Sequence, residues 1–437
     1  MTSMSRSLRP LLLRSPRICD PSQGMDYRAD VLVKNGAISS IGEGQPVPPK
    51  TRVIDCTGLW LWPGLVDPHV HFRDPGFTDK EDLGTGGRAA AAGGYTAVVC
   101  EPNTRPPLDT RERARDMLHR AARESDVRVF AKGAMTEGRA GGRMADLSGL
   151  SAVDGVVAFS DDGDPVVDQE MMARVCREAS CLGLPLSPHC EDSPASVEQY
   201  DRGADPGFEP GEPYTNEWRF VRRDLECASR HGCRIHFSHV SQLRSVEQIR
   251  RAREGTAGVT YEVTPHHLVL CREDYSEGDA PVVNPPLGTA EDREALRRAV
   301  AEGEADAIGS DHAPHRPEDK AQGASGLIGL ETTLGVIMTE LVHEGTIAPM
   351  RAAQLLSTGP ASIFDLPGGS LRPGESADMV LIAPGEYWTV DADQFRSKSR
   401  NTPFDGRELK GRAVATFLEG ERIFETPAFP DRVVGRG

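Results

Sequence analysis

The sequence predicts an α/β protein built on a (β/α)8 TIM-like barrel. Short apolar runs alternate with amphipathic stretches through the middle of the 437-residue chain, and potential ligands follow the apolar runs. Strands that alternate with helical patterns form βα units with a parallel sheet. Polar side chains at the carboxyl ends of such strands are the arrangement that (β/α)8 barrels use for catalysis.

The first predicted barrel strand ends in a His-x-His motif. An apolar run leads through Asp67 to His69 and His71, and Arg73 follows. Residues two apart on a strand point to one face, so both imidazoles can reach one cation. Neutral imidazole is the commonest metal ligand in proteins. The motif therefore predicts a metal site at the end of this strand.

Five later segments repeat the pattern of an apolar run followed by polar groups. They are residues 159–163 with Asp161 and Asp162, 188–192 with His189, 234–240 with His236 and His239, 282–286 with Asn284, and 307–315 with Asp311 and His315. Between them, the spacing predicts helices over residues 169–182 and 244–254. His236 is three residues before His239, so on a strand it faces the other way, which favours a structural role.

Both ends of the chain are predicted to be β structure. Residues 29–38 contain two strands joined by an Asn-Gly turn, and residues 51–55 are another short strand. Residues 377–382 and 413–424 show strand and hairpin patterns. The predicted division is an N-terminal β segment (1–62), a barrel (63–366) and a C-terminal β segment (367–437).

Composition restricts the classes of partner. The net charge is −16, from 50 Lys and Arg against 66 Asp and Glu, which argues against nucleic acid or an anionic membrane. A small anionic substrate remains compatible, because one arginine in a cleft can dominate locally. The nine cysteines include no Cys-x-x-Cys and favour reduced thiols in a cytoplasmic protein. No apolar run approaches the length of a transmembrane helix.

Several motifs together carry a family resemblance. They are residues 67–73, 92–96 with 102–104, 284–286, 311–315, 326–331 and 397–403. With them the chain resembles the bacterial type I dihydroorotases of the amidohydrolase superfamily, from about Leu11 to Phe424. The resemblance implies that both β-rich ends form one small β-sandwich beside the barrel.

The resemblance also implies a zinc site. His69 and His71 would bind a first zinc, and Asp162 would bridge to a second in place of the carboxylated lysine of several relatives. Asp161 is a competing candidate for the bridge, and the sequence leaves one or two zincs open. His189 and His239 would complete the second metal's ligands. Asp311 would bind the first zinc, accept a proton from the attacking water and pass it to the leaving nitrogen.

Substrate contacts follow from the same resemblance. Arg73, Asn103 and His315 would bind the substrate carboxylate, for which a guanidinium offers a matching planar fork. Asn284 would contact the ring, and Gly326 would bring backbone groups close to it. Residues 316–325 are interpreted either as a mobile lid or as a solvated loop.

The chain departs from the family pattern at three places, one of which is a pair of residues. Glu101 stands where methionine is usual, and a carboxylate facing the cleft would alter the electrostatics around an anionic ligand. Gly288 stands where arginine is common, which would remove a contact near the site. Ala324 and Ser325 stand where Pro-Phe is common, which would loosen the hinge of the loop.

The activity implied by the resemblance is reversible cyclisation of N-carbamoyl-L-aspartate to L-dihydroorotate and water, in pyrimidine biosynthesis. The enzymatic alternatives are allantoinase and the hydantoinase or dihydropyrimidinase type. Hydantoinases and dihydropyrimidinases generally use a carboxylated lysine as the ligand that bridges two metals, and the corresponding residues 156–164 contain no lysine. A further alternative is a non-catalytic scaffold of aspartate carbamoyltransferase. A homo-oligomer is expected, and an active enzyme could also associate with the carbamoyltransferase.

Overall fold

The computed structural model describes residues 9–191, 216–276, 278–427 and 429. Its strands, numbered in chain order, are β1 Leu11–Arg14, β2 Arg17–Asp20, β3 Met25–Arg28, β4 Asp30–Lys34, β5 Ala37–Gly42, β6 Arg52–Asp55, β7 Trp60–Pro63, β8 Leu65–Val70, β9 Tyr95–Cys100, β10 Arg128–Ala134, β11 Val156–Ser160, β12 Ile235–Phe237, β13 Val259–Val263, β14 Ala307–Ile308, β15 Met379–Thr389, β16 Glu408–Leu418 and β17 Glu421–Glu425.

Helices separate the central strands. The α-helices are Leu83–Gly93, Arg111–Glu124, Leu147–Ser151, Gln169–Leu182, Glu217–His231, Leu243–Arg253, Pro265–Val269, Ala290–Ala301, Pro317–Ala321, Thr333–Ile337, Pro349–Ala353 and Gly359–Ile363. π-Helical turns, Met338–Val342 and Gln354–Thr358, extend two of them. None of the helices in the described ranges is both long and apolar enough to span a bilayer.

The central strands close into a parallel barrel. Strands β8 to β11 form one parallel sheet and β12 to β14 another. Leu186 joins the two sheets, because it pairs in parallel with Phe159 on one side and Ile235 on the other. Val70 pairs with His312 to close the ring. These eight parallel strand positions confirm the predicted (β/α)8 barrel.

The two helices predicted between the ligand segments are present. The first spans Gln169–Leu182, begins at the N-cap Asp168, whose side chain accepts from the Met171 N–H, and ends at Gly183 with φ of 74°. The second spans Leu243–Arg253, one residue earlier than predicted. Their buried faces carry the apolar residues of the predicted periodicity and pack toward the barrel.

The two ends of the chain form two packed sheets. One sheet has the order β5-β4-β1-β6, and the other has the order β17-β16-β15-β7-β2-β3, so N- and C-terminal strands share a sheet. The predicted Asn35-Gly36 turn joins β4 to β5, with φ of 51° and 81°, as a type I′ hairpin turn requires. Apolar residues from both sheets share one buried cluster. The small β-sandwich predicted beside the barrel is confirmed.

The predicted domain boundaries remain a proposal, which the packing supports. Strand β7, which ends at Pro63, pairs within the sandwich, and β8, which begins at Leu65, pairs within the barrel, so the change of partner falls just after the proposed boundary at 62/63. Leu366 packs in a cluster with barrel residues, whereas Leu371 packs in the sandwich cluster. The change of partner falls beside the proposed boundary at 366/367.

Candidate metal centre and active site

The His-x-His pair lies at the carboxyl end of β8 with each imidazole held from behind. His69 Nδ1 is 2.8 Å from Glu262 Oε1, and His71 Nδ1 is 2.9 Å from Asn103 Oδ1. Since both partners are oxygen acceptors, each Nδ1 donates, so the neutral ring would carry its proton on Nδ1 and present Nε2 to a cation. This is the tautomer that a metal-binding histidine with an outer hydrogen bond adopts.

Two carboxylates face those Nε2 atoms. Asp311 Oδ1 lies 3.0 Å from His71 Nε2 and 3.7 Å from His69 Nε2. Asp162 Oδ1 lies 3.5 Å from His69 Nε2. Burial opposes ionisation of both acids, but the surrounding imidazoles outweigh it and lower the pKa of Asp162 and of Asp311. Both side chains are therefore anionic at neutral pH.

Asp161 faces away from this cluster. Its Oδ1 accepts from the N–H groups of Met135 at 2.8 Å and Thr136 at 3.2 Å, and its Oδ2 accepts from the Thr136 hydroxyl. Asp161 thus anchors the segment that leaves β10. Between the two adjacent acids, the geometry favours Asp162 as the proposed bridging ligand.

The two remaining predicted histidines contact the same carboxylate oxygen of Asp162. His189 Nδ1 and His239 Nε2 each lie 3.3 Å from Asp162 Oδ1 and 2.9 Å from each other. His189 Nε2 is 2.6 Å from Glu191 Oε2. Burial lowers the pKa of His189, but Asp162 and Glu191 together raise it to about 10.

This donor set fits a divalent cation. Side-chain donor atoms of His69, His71 and Asp311 lie within 4.8 Å of one another, as do those of His69, Asp162 and His239. Among the described residues, the buried Nε2 of His69 has no hydrogen-bond partner. Burial lowers the pKa of His69, but Glu101, Asp162 and Glu262 raise it to about 10, so a positive charge is favoured here. A metal ion would supply that charge and use the orphaned nitrogen.

Two of the three predicted carboxylate-binding groups, Arg73 and Asn103, line a cavity beside the cluster, and the third, His315, lies behind its wall in contact with Arg73 and Lys80. The cavity measures about 420 Å³ and includes Arg73, Asn103, Lys80 and Arg139 in its wall. Arg73 Nη2 is 3.1 Å from His315 Nε2, and Lys80 Nζ is 3.3 Å from His315 Nδ1. Burial, then Arg73 and Lys80, lower the pKa of His315 to about 3, so this imidazole is neutral at pH 7.

Asn103 lies between the cavity and the donor cluster, and Asn284 lies beside His189 on the cluster. Asn103 also donates from Nδ2 to Asp162 Oδ2 at 3.2 Å, so it orients two proposed ligands as well as lining the cavity. Asn284 Nδ2 donates to Glu191 Oε2 at 2.7 Å. The buried Oδ1 of Asn284 has no hydrogen-bond partner among the described residues.

Gly326 lies where only glycine fits. Its φ is 133°, and a Cβ there would lie 2.7 Å from the Cβ of Ala313 and 3.3 Å from His315 Cδ2. Its N–H donates to the Val282 carbonyl, and its own carbonyl accepts from Lys320 Nζ at 2.9 Å. The glycine therefore permits a close backbone approach around His315.

The other departures from the family pattern have structural explanations. A Cβ at Gly288 would lie 2.9 Å from the Cβ of Asp292, so the backbone here leaves no room for a longer residue. The segment before Ala324 contains the short helix Pro317–Ala321. Lys320 of this helix donates from Nζ to the Ala324 carbonyl at 2.7 Å and so holds the end of the segment. Glu101 faces the barrel interior beneath the histidines, neither toward the cleft nor outward.

Sequence reasoning missed several supporting residues. Glu262 holds His69 and also lies 3.1 Å from the buried His236, which fits the structural role favoured for His236. Lys80 and Glu191 contact His315 and His189. Glu262 had one visible signal, since it is a charged residue inside the apolar strand β13. The partners of Lys80 and Glu191 are set by tertiary contacts that no local pattern encodes.

Comparison with known proteins places this architecture in a family. The model of the amidohydrolase family matches residues 60–423. The chain belongs to the amidohydrolase family. It is 38% identical over 423 residues to the dihydroorotase of Citrifermentans bemidjiense, covering 95% of this chain and 99% of that one. It is 39% identical over 421 residues to the dihydroorotase of Syntrophotalea carbinolica, covering 94% and 98%.

Solved structures of amidohydrolases share the fold. The L-hydantoinase (dihydropyrimidinase) from Arthrobacter aurescens superposes with a TM-score of 0.85 at 27% identity, covering 96% of each chain. The dihydropyrimidinase from Brevibacillus agri superposes with a TM-score of 0.80 at 23% identity, covering 94% of each. As a family member with dihydroorotase relatives, this amidohydrolase is a hydrolase that acts on cyclic amides.

Proposed function

We propose that this amidohydrolase is a dihydroorotase, which interconverts N-carbamoyl-L-aspartate and L-dihydroorotate. The observation that carries the proposal is the cationic cavity of Arg73 and Lys80 directly beside the donor cluster that contains Asp311. Dihydroorotate differs from a plain cyclic amide by a carboxylate, and this cavity offers cations for it. The dihydroorotase relatives, which match nearly the whole chain, support the same reaction.

The carboxylate of the substrate would bind to Arg73. Its guanidinium lines the cavity, with Nε donating to the Pro314 carbonyl at 3.2 Å and Nη2 near His315, so the fork is fixed before the ligand arrives. A fixed guanidinium loses little freedom when it forms a charge-assisted pair. Asn284 would accept from a ring N–H through its free Oδ1. These two contacts would place the reacting amide over the donor cluster.

Asp311 would move the proton. Its lowered pKa keeps it ionised and able to accept a proton from the attacking water. In the hydrolytic direction it would then return that proton to the departing ring nitrogen. Its φ of 47° places it in the left-handed region, at the loop after β14, where its carboxylate meets His71.

The cation proposed for this cluster is Zn²⁺, one or two per subunit. His69, His71 and Asp311 would hold the first, His189 and His239 would hold a second, and Asp162 would be a ligand shared by both. When bound, it would lower the pKa of water toward about 7 and polarise the amide carbonyl.

Turnover of a substrate panel tests the proposal. Purified enzyme of known metal content would be assayed with L-dihydroorotate, allantoin and 5-methylhydantoin. Hydrolysis of dihydroorotate that chelation abolishes and Zn²⁺ restores is the expected result. Preference for allantoin would reassign the enzyme to the allantoinases, and preference for the neutral hydantoin would reassign it to the hydantoinase type, whose fold it shares. Metal binding without turnover of any ring would favour the scaffold alternative.

The cellular setting is proposed from the same relatives. The reaction belongs to pyrimidine biosynthesis and would take place in the cytoplasm. We propose a homo-oligomer that acts on a small anionic substrate, without nucleic acid or membrane as a partner. Light scattering would give its mass in solution, and co-elution with aspartate carbamoyltransferase would test that association.

A further inference from the structure

A buried ion pair that the proposed reaction does not use lies beneath the first histidine. Lys132 on β10 and Glu101, directly after β9, contact each other through Nζ and Oε1, and both side chains are 0% exposed. Lys132 Nζ also donates to Ser187 Oγ at 2.8 Å and lies 5.5 Å from the ring centre of Phe364. Burying two charges is costly unless they are paired, so the pair calls for a physical reason.

The position of Glu101 relative to His69 suggests that reason. Glu101 Oε1 is 3.7 Å from His69 Nδ1, while Glu262 Oε1 is 2.8 Å from the same nitrogen. The Nδ1–H of His69 donates to a single acceptor, and the shorter distance identifies that acceptor as Glu262. Glu101 is therefore not needed to fix the orientation of the imidazole. What it adds beside His69 is negative charge.

Lys132 balances that charge. Glu262 has His236 Nε2 as its own partner at 3.1 Å, and Glu101 has Lys132, so each carboxylate behind His69 is paired. On the other side of His69, Asp162 and Asp311 add two more negative charges. In a water-poor interior, such charges act on a cation several ångströms away with little screening.

We propose that Glu101 and Lys132 form a charge-balancing pair that sets how tightly the group of His69, His71 and Asp311 holds a divalent cation. Glu101 strengthens the hold and Lys132 limits it, so that the site binds the cation without an excess of buried negative charge. Both act through His69 and its surroundings and do not touch the substrate, so they are positioning residues. The inference rests on the proposed metal ligands, although not on which cyclic amide is the substrate.

Opposite single substitutions provide the test. Full-length Glu101→Gln, Lys132→Met and the double variant Glu101→Met/Lys132→Met would be stripped of metal and titrated with Zn²⁺ against a chromophoric chelator. We expect Glu101→Gln to weaken Zn²⁺ binding by at least about tenfold and Lys132→Met to tighten it by a similar factor. The double variant should return to within about threefold of the wild type.

A matched control separates charge from packing. Ser187→Ala removes a hydrogen bond from the same lysine without changing any charge, and it should leave Zn²⁺ affinity within about threefold of wild type. Melting temperatures would be recorded for every variant. If Lys132→Met does not fold, Lys132→Gln replaces it, since its uncharged amide can still donate to Ser187 Oγ.

The outcomes divide clearly. Shifts of opposite sign support the pair as a regulator of metal affinity, because a merely structural role would lower affinity and stability in both variants. Shifts of the same sign, or none, overturn it. A wild type that binds no Zn²⁺ overturns both this inference and the proposed metal centre. Normal Zn²⁺ behaviour with no turnover of dihydroorotate overturns the proposed reaction and leaves the pair supported.

Discussion

The adjacent acids Asp161 and Asp162 permit a test in which nearly identical substitutions have different consequences. Asp161→Asn keeps a carbonyl oxygen for the N–H groups of Met135 and Thr136, and its amide can donate to the Thr136 hydroxyl. Burial raises the pKa of Asp161 to about 7, so the neutral amide also removes a charge that the interior disfavours. We expect the free energy of unfolding to change by about 1 kcal/mol or less.

Asp161→Ala, which removes the acceptor altogether, should lower the free energy of unfolding more than Asp161→Asn does. It would leave the Thr136 N–H without an acceptor, whereas the Met135 N–H would keep the Ser160 carbonyl at 3.3 Å, so a loss of roughly 1–3 kcal/mol is expected. Metal content should stay close to that of the wild type, because none of the hydrogen bonds of Asp161 involves the proposed ligands.

Asp162→Asn should instead lower Zn²⁺ affinity strongly. Asp162 Oδ1 lies within 3.5 Å of nitrogens on His69, His189 and His239, and an uncharged amide is a poor substitute among them. Zn²⁺ affinity should fall by more than about 100-fold, since even outer hydrogen-bond partners of ligands contribute 10- to 100-fold. Metal content by mass spectrometry and urea unfolding would be measured on all three variants. Loss of metal in Asp161→Asn with retention in Asp162→Asn would refute the assignment.

Three further predictions concern the proposed chemistry. Asp311→Asn should keep the fold and some metal but lower kcat by about 10²- to 10⁴-fold, and near-normal turnover would remove its proton-transfer role. Arg73→Gln should raise KM for dihydroorotate by about 10- to 100-fold and leave a neutral hydantoin unaffected, whereas equal losses on both rings would contradict carboxylate binding. In the metal-free protein the pKa values of His69 and His189 are raised to about 10, so their stabilisation is fully present below about pH 6.5 and lost toward pH 10. The melting temperature should therefore fall over that range more steeply without Zn²⁺ than with it, and parallel curves would count against a shared site.

Much of the fold could be predicted because its signals are local. The helix Gln169–Leu182 has the predicted bounds, since its apolar spacing, its Asp168 cap and its terminal Gly183 are all neighbours in the sequence. The Asn35-Gly36 hairpin was predictable for the same reason. The barrel strand position at Leu186 was harder to predict from the sequence. Only one residue pairs there, so the sequence shows almost no strand periodicity.

The candidate site could be predicted in its ligand types but not in its supporting contacts. His69, His71, His189, His239, Asp162 and Asp311 converge as the family resemblance implied, and the assignment of their roles remains a proposal. Glu101 shows the limit most clearly. Its unusual identity was visible in the sequence, but its direction was not, since the choice between cleft and barrel interior depends on its partner Lys132 across the neighbouring strand.

By itself, the sequence determined that strands and helices alternate, that both ends are β-rich, and that potential metal ligands follow successive strands. Those features depend on side-chain period and on residues close in the chain. Only the tertiary structure decided that Asp162 rather than Asp161 faces the histidines, and that Glu101 pairs with Lys132 beneath His69. The physical reason is that the direction of a side chain leaving a strand is set by backbone geometry and by partners from distant segments, which local sequence does not specify.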